Sequence, residues 1–118
     1  MIVGKVIHGD GIGKSQGYAT ANLDISPERT KLKSGCYATW VRFRGQKHPA
    51  ALIVASQAAK VEVHLLDYAG LDFYGEQITV DPIQKVSEVV HVESLPELKA
   101  KMDQDIVLIR SVLEKIKR

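Results

Sequence analysis

Apolar and polar positions alternate over short runs for most of the chain, then shift to a spacing of three and four near the C-terminus. Period-two alternation marks half-buried strands and the longer period marks an amphipathic helix. Ile2 to Ile7 reads as a first strand and Ala19 to Ile25 as a second extended piece. Ser26 to Thr30 and Lys33 to Gly35 are turns by composition. Cys36 to Phe43, aromatic and β-branched, predicts a strand. Arg44-Gly45-Gln46-Lys47 predicts a hairpin connection, with Pro49 to Ala55 returning. After a link at Ser56 to Lys60, Val61, Val63 and Leu65 alternate with Glu62, His64 and Leu66. Phe73 to Gly75 with Gln77 to Val80 predicts another strand, and Lys85 to His91 is a further candidate.

The last segment differs. Ser94 and Glu97 have the spacing of a capping box, and Pro96 fits the first turn. Leu95, Leu98, Met102, Ile106, Ile109, Leu113 and Ile116 then form one apolar stripe, expected to face a core. Closely spaced strands separated by turns, followed by one helix, predict a mainly β barrel or sandwich with a C-terminal α-helix.

Composition changes this picture little. The chain has 118 residues, 45% apolar and 25% charged, the mix of an ordinary globular domain. One domain over residues 1–118 is expected. A net charge of +2 gives no nucleic-acid footprint. The single cysteine, Cys36, excludes an internal disulfide and reads as a small buried hydrophobe. The N-terminal apolar run is too short for a signal peptide, and no stretch has membrane-spanning length. A cytoplasmic protein without a membrane partner is expected, and a monomer.

Candidate chemistry begins at Gly9, Gly11, Gly13 and Gly17, with Lys14 among them. Glycines let backbone N–H groups approach an anion closely, and a cation in the same loop suits phosphate. The spacing is neither a Walker loop nor a Rossmann fingerprint, because Ala19 to Ile25 reads as strand and not helix. Thr20 and Asn22 lie two apart on that strand, so both oxygens share a face. Two neutral oxygen ligands suit Mg²⁺, which takes few protein ligands beside phosphate and water. Alternation alone puts Glu62 on the solvent side of its strand. A sheltered position would instead raise its pKa and fit it to act as a base. His64 shares that face and reads as a hydrogen-bonding partner. His8, His48 and His91 have no zinc spacing.

Several of these stretches, taken in order, resemble the riboflavin kinase family. His8-Gly9-Asp10-Gly11-Ile12-Gly13-Lys14 followed by Gly17-Tyr18-Ala19-Thr20-Ala21-Asn22 is similar to its basic, glycine-rich loop leading into Gly-Phe-Pro-Thr-Ala-Asn. Gly35-Cys36-Tyr37-Ala38, Glu62-Val63-His64-Leu65-Leu66-Asp67 and Phe73-Tyr74-Gly75 resemble later motifs, and Ser94 to Leu98 resembles the start of the final helix. The resemblance implies a six-stranded Greek-key barrel that phosphorylates riboflavin to FMN with ATP and Mg²⁺. It implies Glu62 as general base, Thr20 and Asn22 as Mg²⁺ ligands, and Gly9, Gly11, Gly13, Lys14 and Gly17 around nucleotide phosphate. It also places Phe73 and Tyr74 near the flavin. The 118 residues are expected to hold this kinase unit alone, without the adenylyltransferase domain of the bifunctional bacterial enzymes. Ala19 replaces the family's proline, and Val86-Ser87 stand where Leu-Arg is expected. These departures keep open an alternative, a flavin- or nucleotide-binding barrel without kinase activity.

Overall fold

A computed structural model describes residues 1–7, 19–68, 73–90 and 93–116. Among the described residues there are six strands: β1 (Ile2–Ile7), β2 (Ala19–Leu23), β3 (Gly35–Phe43), β4 (Gln46–Ala55), β5 (Lys60–Leu65) and β6 (Gln77–Ser87). Two helices accompany them among the described residues, α1 (Pro27–Thr30) and α2 (Leu95–Lys115). The strands close into a barrel in the order β1-β2-β5-β4-β3-β6, with every neighbouring pair antiparallel. Closure leaves none of these six strands with an open edge to aggregate. The jump from β2 to β3 past the β3-β4-β5 meander is the Greek-key step.

Alternation decides which side chains fill the barrel. Val61, Val63 and Leu65 point inward from β5, and Ala50, Leu52 and Val54 from β4. They meet Val6, Ala21, Leu23, Tyr37, Val41, Ile78 and Val80. The inward hydroxyl of Thr39 donates to the Tyr37 carbonyl at 3.0 Å, so it is buried without an orphan donor. Ile25 and Leu32 pack against one end of this interior. Between them the Ser26 to Thr30 stretch forms the single helical turn α1, because Pro27 pre-sets its first turn. Phe43, Tyr68 and Phe73 close the other end, Phe43 stacking on Phe73 at 5.1 Å.

Two connections follow from local chemistry. Arg44 and Gly45 adopt φ of 51° and 72°, the paired left-handed residues of a two-residue hairpin whose twist matches the strands. The β4–β5 connection ends on Ala59 at φ 53°, with the Ala59 N–H donating to Ser56 O at 3.1 Å.

β6 departs from the sequence expectation. Val80 and Lys85 belong to one strand, not two, and it ends at Ser87. Register shifts against β3 leave Ile83 and Val86 as the extra residues, and Pro82 lies beside the first shift. Proline lacks the ladder donor and is tolerated at such a bulge, so it bends the strand without ending it. The one strand pairs with β1 from Gln77 to Val80 and with β3 from Thr79 to Ser87.

Helix α2 packs on the outside of the barrel. Ile109 and Leu113 are buried against Cys36, Ala38, Ala51 and Leu66, flanked by Ile83, Val86, Ile106 and Val112. Truncating Ile109 to Ala would cost about 3 kcal/mol through lost transfer and the cavity left. Ser94 Oγ accepts the Glu97 N–H at 3.2 Å, as the capping spacing predicts, while Glu97 reaches back to the N–H of Glu93 at 3.3 Å. Leu95, at the head of the predicted stripe, is exposed. The stripe also contains a charge: Asp105 is buried, paired with Lys101, which donates to Ser87 Oγ at 3.0 Å. Burial, then the Asp105 charge, pushes the Cys36 thiol up to about 12, making it an inert hydrophobe. Among the described residues no helix is long and apolar enough to cross a membrane.

Candidate functional site

Strand register builds the site. Asn22 pairs with Glu62, and Thr20 with His64, across the antiparallel β2–β5 ladder. Ala21 and Val63, between them, point into the barrel, so Asn22, Glu62 and His64 face outward. Following register round the barrel gives one transverse row: Ile7, Asn22, Glu62, Ile53, Cys36 and Ser87. Asn22 and Glu62 occupy the part of this row between exposed Ile7 and the wall that α2 builds over Ile53 and Cys36. Thr20 lies two residues from Asn22 on β2, opposite His64, and its side chain lies outside the described residues.

An outward-facing carboxylate on a barrel is ordinarily well solvated. Here the Glu62 side chain is only 20% exposed and that of His64 9%. His64 Nε2 lies 3.6 Å from Glu62 Oε2, close enough for electrostatic support but beyond a good hydrogen bond. Alternation correctly put Glu62 outside the barrel. It could not show that this stretch of the outer surface is sheltered.

Asn22 supplies the strongest chemical signal. Its Oδ1 is buried and has no hydrogen-bond partner among the described residues. Such an orphan acceptor costs about 1–3 kcal/mol, so it needs a compensating ligand or a functional reason. A hard neutral oxygen beside a carboxylate fits a Mg²⁺ ion shared with phosphate. The residues present therefore fit the metal that the sequence resemblance implies.

Gly9, Gly11, Gly13, Lys14 and Gly17 lie outside the described residues, as do His8 and His91. Their segment leaves from Ile7 and returns at Ala19, beside Leu65 on β5. That is the barrel end closed by Phe43, Tyr68 and Phe73. Phe73 is thus a buried core residue of this end, and Tyr74 packs against it. His48 belongs to the same cluster, stacked on Phe43 at 4.7 Å and edge-on to Tyr68 at 5.5 Å. Burial pushes its pKa below the usual imidazole range. Trp40 is elsewhere, half-buried on the helix side of β3 with Lys47 Nζ 4.3 Å from its ring centre.

Two charged contacts near this end are signalled by no motif, although Asp67 closes the Glu62 to Asp67 stretch. Asp67 takes a left-handed φ of 61° just after β5 and accepts both guanidinium nitrogens of Arg110 at 2.8 Å, joining the strand to α2. The Arg110 bonds hold the Asp67 carboxyl below its ordinary pKa. Arg44 pairs with Glu76 across the barrel mouth. Sequence separation hides both pairs, since each depends on how the barrel closes.

Comparison with known proteins bears on the same stretches. The sequence model of the riboflavin kinase family (flavokinase) matches residues 1–113. The bifunctional riboflavin kinase/FMN adenylyltransferase of Pseudomonas fluorescens is 33% identical over 118 residues, covering 94% of this chain and 37% of that protein. Its counterpart in Escherichia coli K12 is 35% identical over 116 residues, covering 92% and 36%. The chain thus spans little more than a third of the length of these relatives. A solved riboflavin kinase from Trypanosoma brucei superposes with a TM-score of 0.70 over 96% of this chain and 78% of that one, a likeness of fold at 21% identity. A structure titled as a macrolide-efflux protein from Streptococcus pneumoniae gives a TM-score of 0.71 at 26% identity, covering 92% of this chain and 35% of that one.

Proposed function

The chain belongs to the riboflavin kinase family, and from that premise we propose that it transfers the terminal phosphoryl group of ATP to riboflavin, forming FMN and ADP. The observation that carries the proposal is the pairing of Asn22 and Glu62 on one sheltered strip, with the Asn22 oxygen buried and unsatisfied. Phosphoryl transfer to an alcohol is largely positioning and charge neutralisation, with one group to accept the hydroxyl proton.

Glu62 is that acceptor. Its carboxylate takes the proton of the terminal ribityl hydroxyl as the oxygen bonds to the γ-phosphorus. The bond from that phosphorus to the bridging oxygen breaks, and ADP keeps the electron pair. Partial burial keeps the carboxylate from competing water and strengthens its pull on the proton. His64 supports Glu62 from the neighbouring outward position on β5. Asn22 Oδ1 and Thr20 would hold Mg²⁺, which when bound offsets charge on the nucleotide phosphates. The glycine-rich segment with Lys14 would hold those phosphates, and flavin contacts would come from the neighbourhood of Phe73 and Tyr74. This unit works as a monomer in the cytoplasm.

The test is direct: purified protein with riboflavin, ATP and Mg²⁺, with FMN separated by chromatography. FMN formation that requires all three supports the reading. Flavin and nucleotide binding without FMN would assign a binding barrel instead, the alternative that Ala19 and Ser87 favour.

A further inference from the structure

Four polar side chains are buried among the described residues: Thr30, Thr39, His64 and Asp105. Three are accounted for by the fold. Thr30 Oγ1 donates to Pro27 O at 2.6 Å inside the α1 turn, Thr39 bonds the Tyr37 carbonyl, and Asp105 is paired with Lys101. His64 is the one whose ring meets a group of the proposed chemistry, with Nε2 3.6 Å from Glu62 Oε2. Two of its neighbours are apolar: Ala51, opposite on β4, and Leu66, two residues on, both belong to the cluster beneath α2. A leucine at position 64 would extend that cluster, whereas burying a polar ring costs free energy.

The backbones of His64 and Glu62 are fixed from two sides. Glu62 pairs with Asn22 on β2 and Ile53 on β4, and His64 with Thr20 and Ala51. What the ladders leave undetermined is the Glu62 carboxylate, which turns about several side-chain torsions. A base has to lie within hydrogen-bond reach of the proton it takes, and a misplacement of about 1 Å costs up to about 10²-fold in rate. The His64 ring, buried and with fewer torsions, is the more rigid member of the pair. A separation of 3.6 Å is long for a hydrogen bond, and catalytic contacts of this kind commonly tighten once substrate is bound.

We propose that His64 is a positioning residue for the base: its Nε2–H holds Glu62 Oε2 and so aims the carboxylate at the ribityl hydroxyl. The inference deepens the kinase reading and rests on it. The neutral Nε2–H tautomer and the imidazolium both present this donor, so the role is one of direction and not of charge. His64 acts on the rate through Glu62 alone. Its loss should therefore slow the chemical step and leave the affinity for either substrate almost unchanged.

The experiment is single-turnover FMN formation by wild type, H64L, H64Q, E62Q and E62Q/H64L, with riboflavin and Mg·ATP affinities measured by calorimetry and Tm recorded for each. Leucine fills the space without a donor, and glutamine restores an N–H near the position of Nε2. H64L is expected to melt no lower than wild type, since it buries no polar ring. It should bind both substrates within about twofold of wild type and form FMN about tenfold more slowly. H64Q should recover to within about threefold of the wild-type rate. In the E62Q background H64L should have no further effect, because the link it breaks is already gone. A wild-type rate in H64L, an equal loss in the E62Q background, H64Q as slow as H64L, or a marked fall in the Tm of H64L would each overturn the inference. A wild-type protein that forms no FMN would overturn the kinase reading and the inference with it, whereas a full rate in H64L beside an active wild type would overturn the inference alone.

Discussion

Asn22 on β2 and Glu62 on β5 stand directly opposite one another in an antiparallel ladder, their side chains on the outer wall of the barrel. Directly opposed residues have Cβ atoms about 5 Å apart. An amide oxygen and a carboxylate are thus brought to one strip by the register alone. Neither loop conformation nor side-chain flexibility is needed to assemble them.

The unsatisfied Asn22 oxygen leads to a prediction in which stability and function part company. Replacing Asn22 with Leu removes a buried acceptor that has no partner among the described residues. Stability should hold or rise by about 1 kcal/mol. The Mg²⁺ concentration needed for half-maximal FMN formation should rise at least about tenfold. Thermal melts and a metal titration of activity check the two halves. Marked destabilisation with unchanged metal dependence would make Asn22 a structural residue.

The β4–β5 turn contains a correctable strain. Ala59 is held at φ 53°, where its Cβ crowds the backbone and glycine does not. Ala59→Gly should stabilise the fold by about 1 kcal/mol, less whatever entropy the unfolded chain gains. Urea unfolding measures it, and catalysis should not change, because this turn lies at the opposite end of β5 from Leu65 and Tyr68.

Much of the fold was legible in the chain. Val61, Val63 and Leu65 announced the inward face of β5, and Ser94 with Glu97 announced the start of α2. Ordered motifs brought Thr20, Asn22 and Glu62 forward before any register was known. Three features were not legible, each because tertiary contacts decide it. Pro82 falls in the gap between the two expected strands, Gln77 to Val80 and Lys85 to His91, but lies at a bulge that only pairing with β3 creates. Asp105 interrupts an apolar stripe and is buried with Lys101 paired to it there, Lys101 also donating to Ser87. The shelter of Glu62, whose side chain is 20% exposed, depends on tertiary packing that no pattern within β5 encodes.

His48 gives the fold a predictable response to acid. Its folded pKa lies below 6.5 because its ring is packed between Phe43 and Tyr68. The unfolded chain therefore takes up a proton first as pH falls. Its contribution to stability is complete above 6.5 and is lost as pH drops through the lowered folded value. His48→Phe keeps the aromatic packing and has no proton to accept. The stability of this variant relative to wild type should grow below pH 6.5 and be constant above it, as measured by denaturant unfolding at a series of pH values. A difference independent of pH would show that His48 is equally protonated in both states.

The central claim is that the Glu62 carboxylate accepts the substrate proton, and the most direct measurement is single-turnover FMN formation by Glu62→Gln beside wild type, at saturating riboflavin, ATP and Mg²⁺. Glutamine keeps the size and the polar contacts and loses only the basic oxygen. The rate should fall by about 10²–10⁴-fold, with riboflavin and Mg·ATP affinities within a few-fold of wild type. A Glu62→Gln protein that forms FMN at the wild-type rate would contradict that claim.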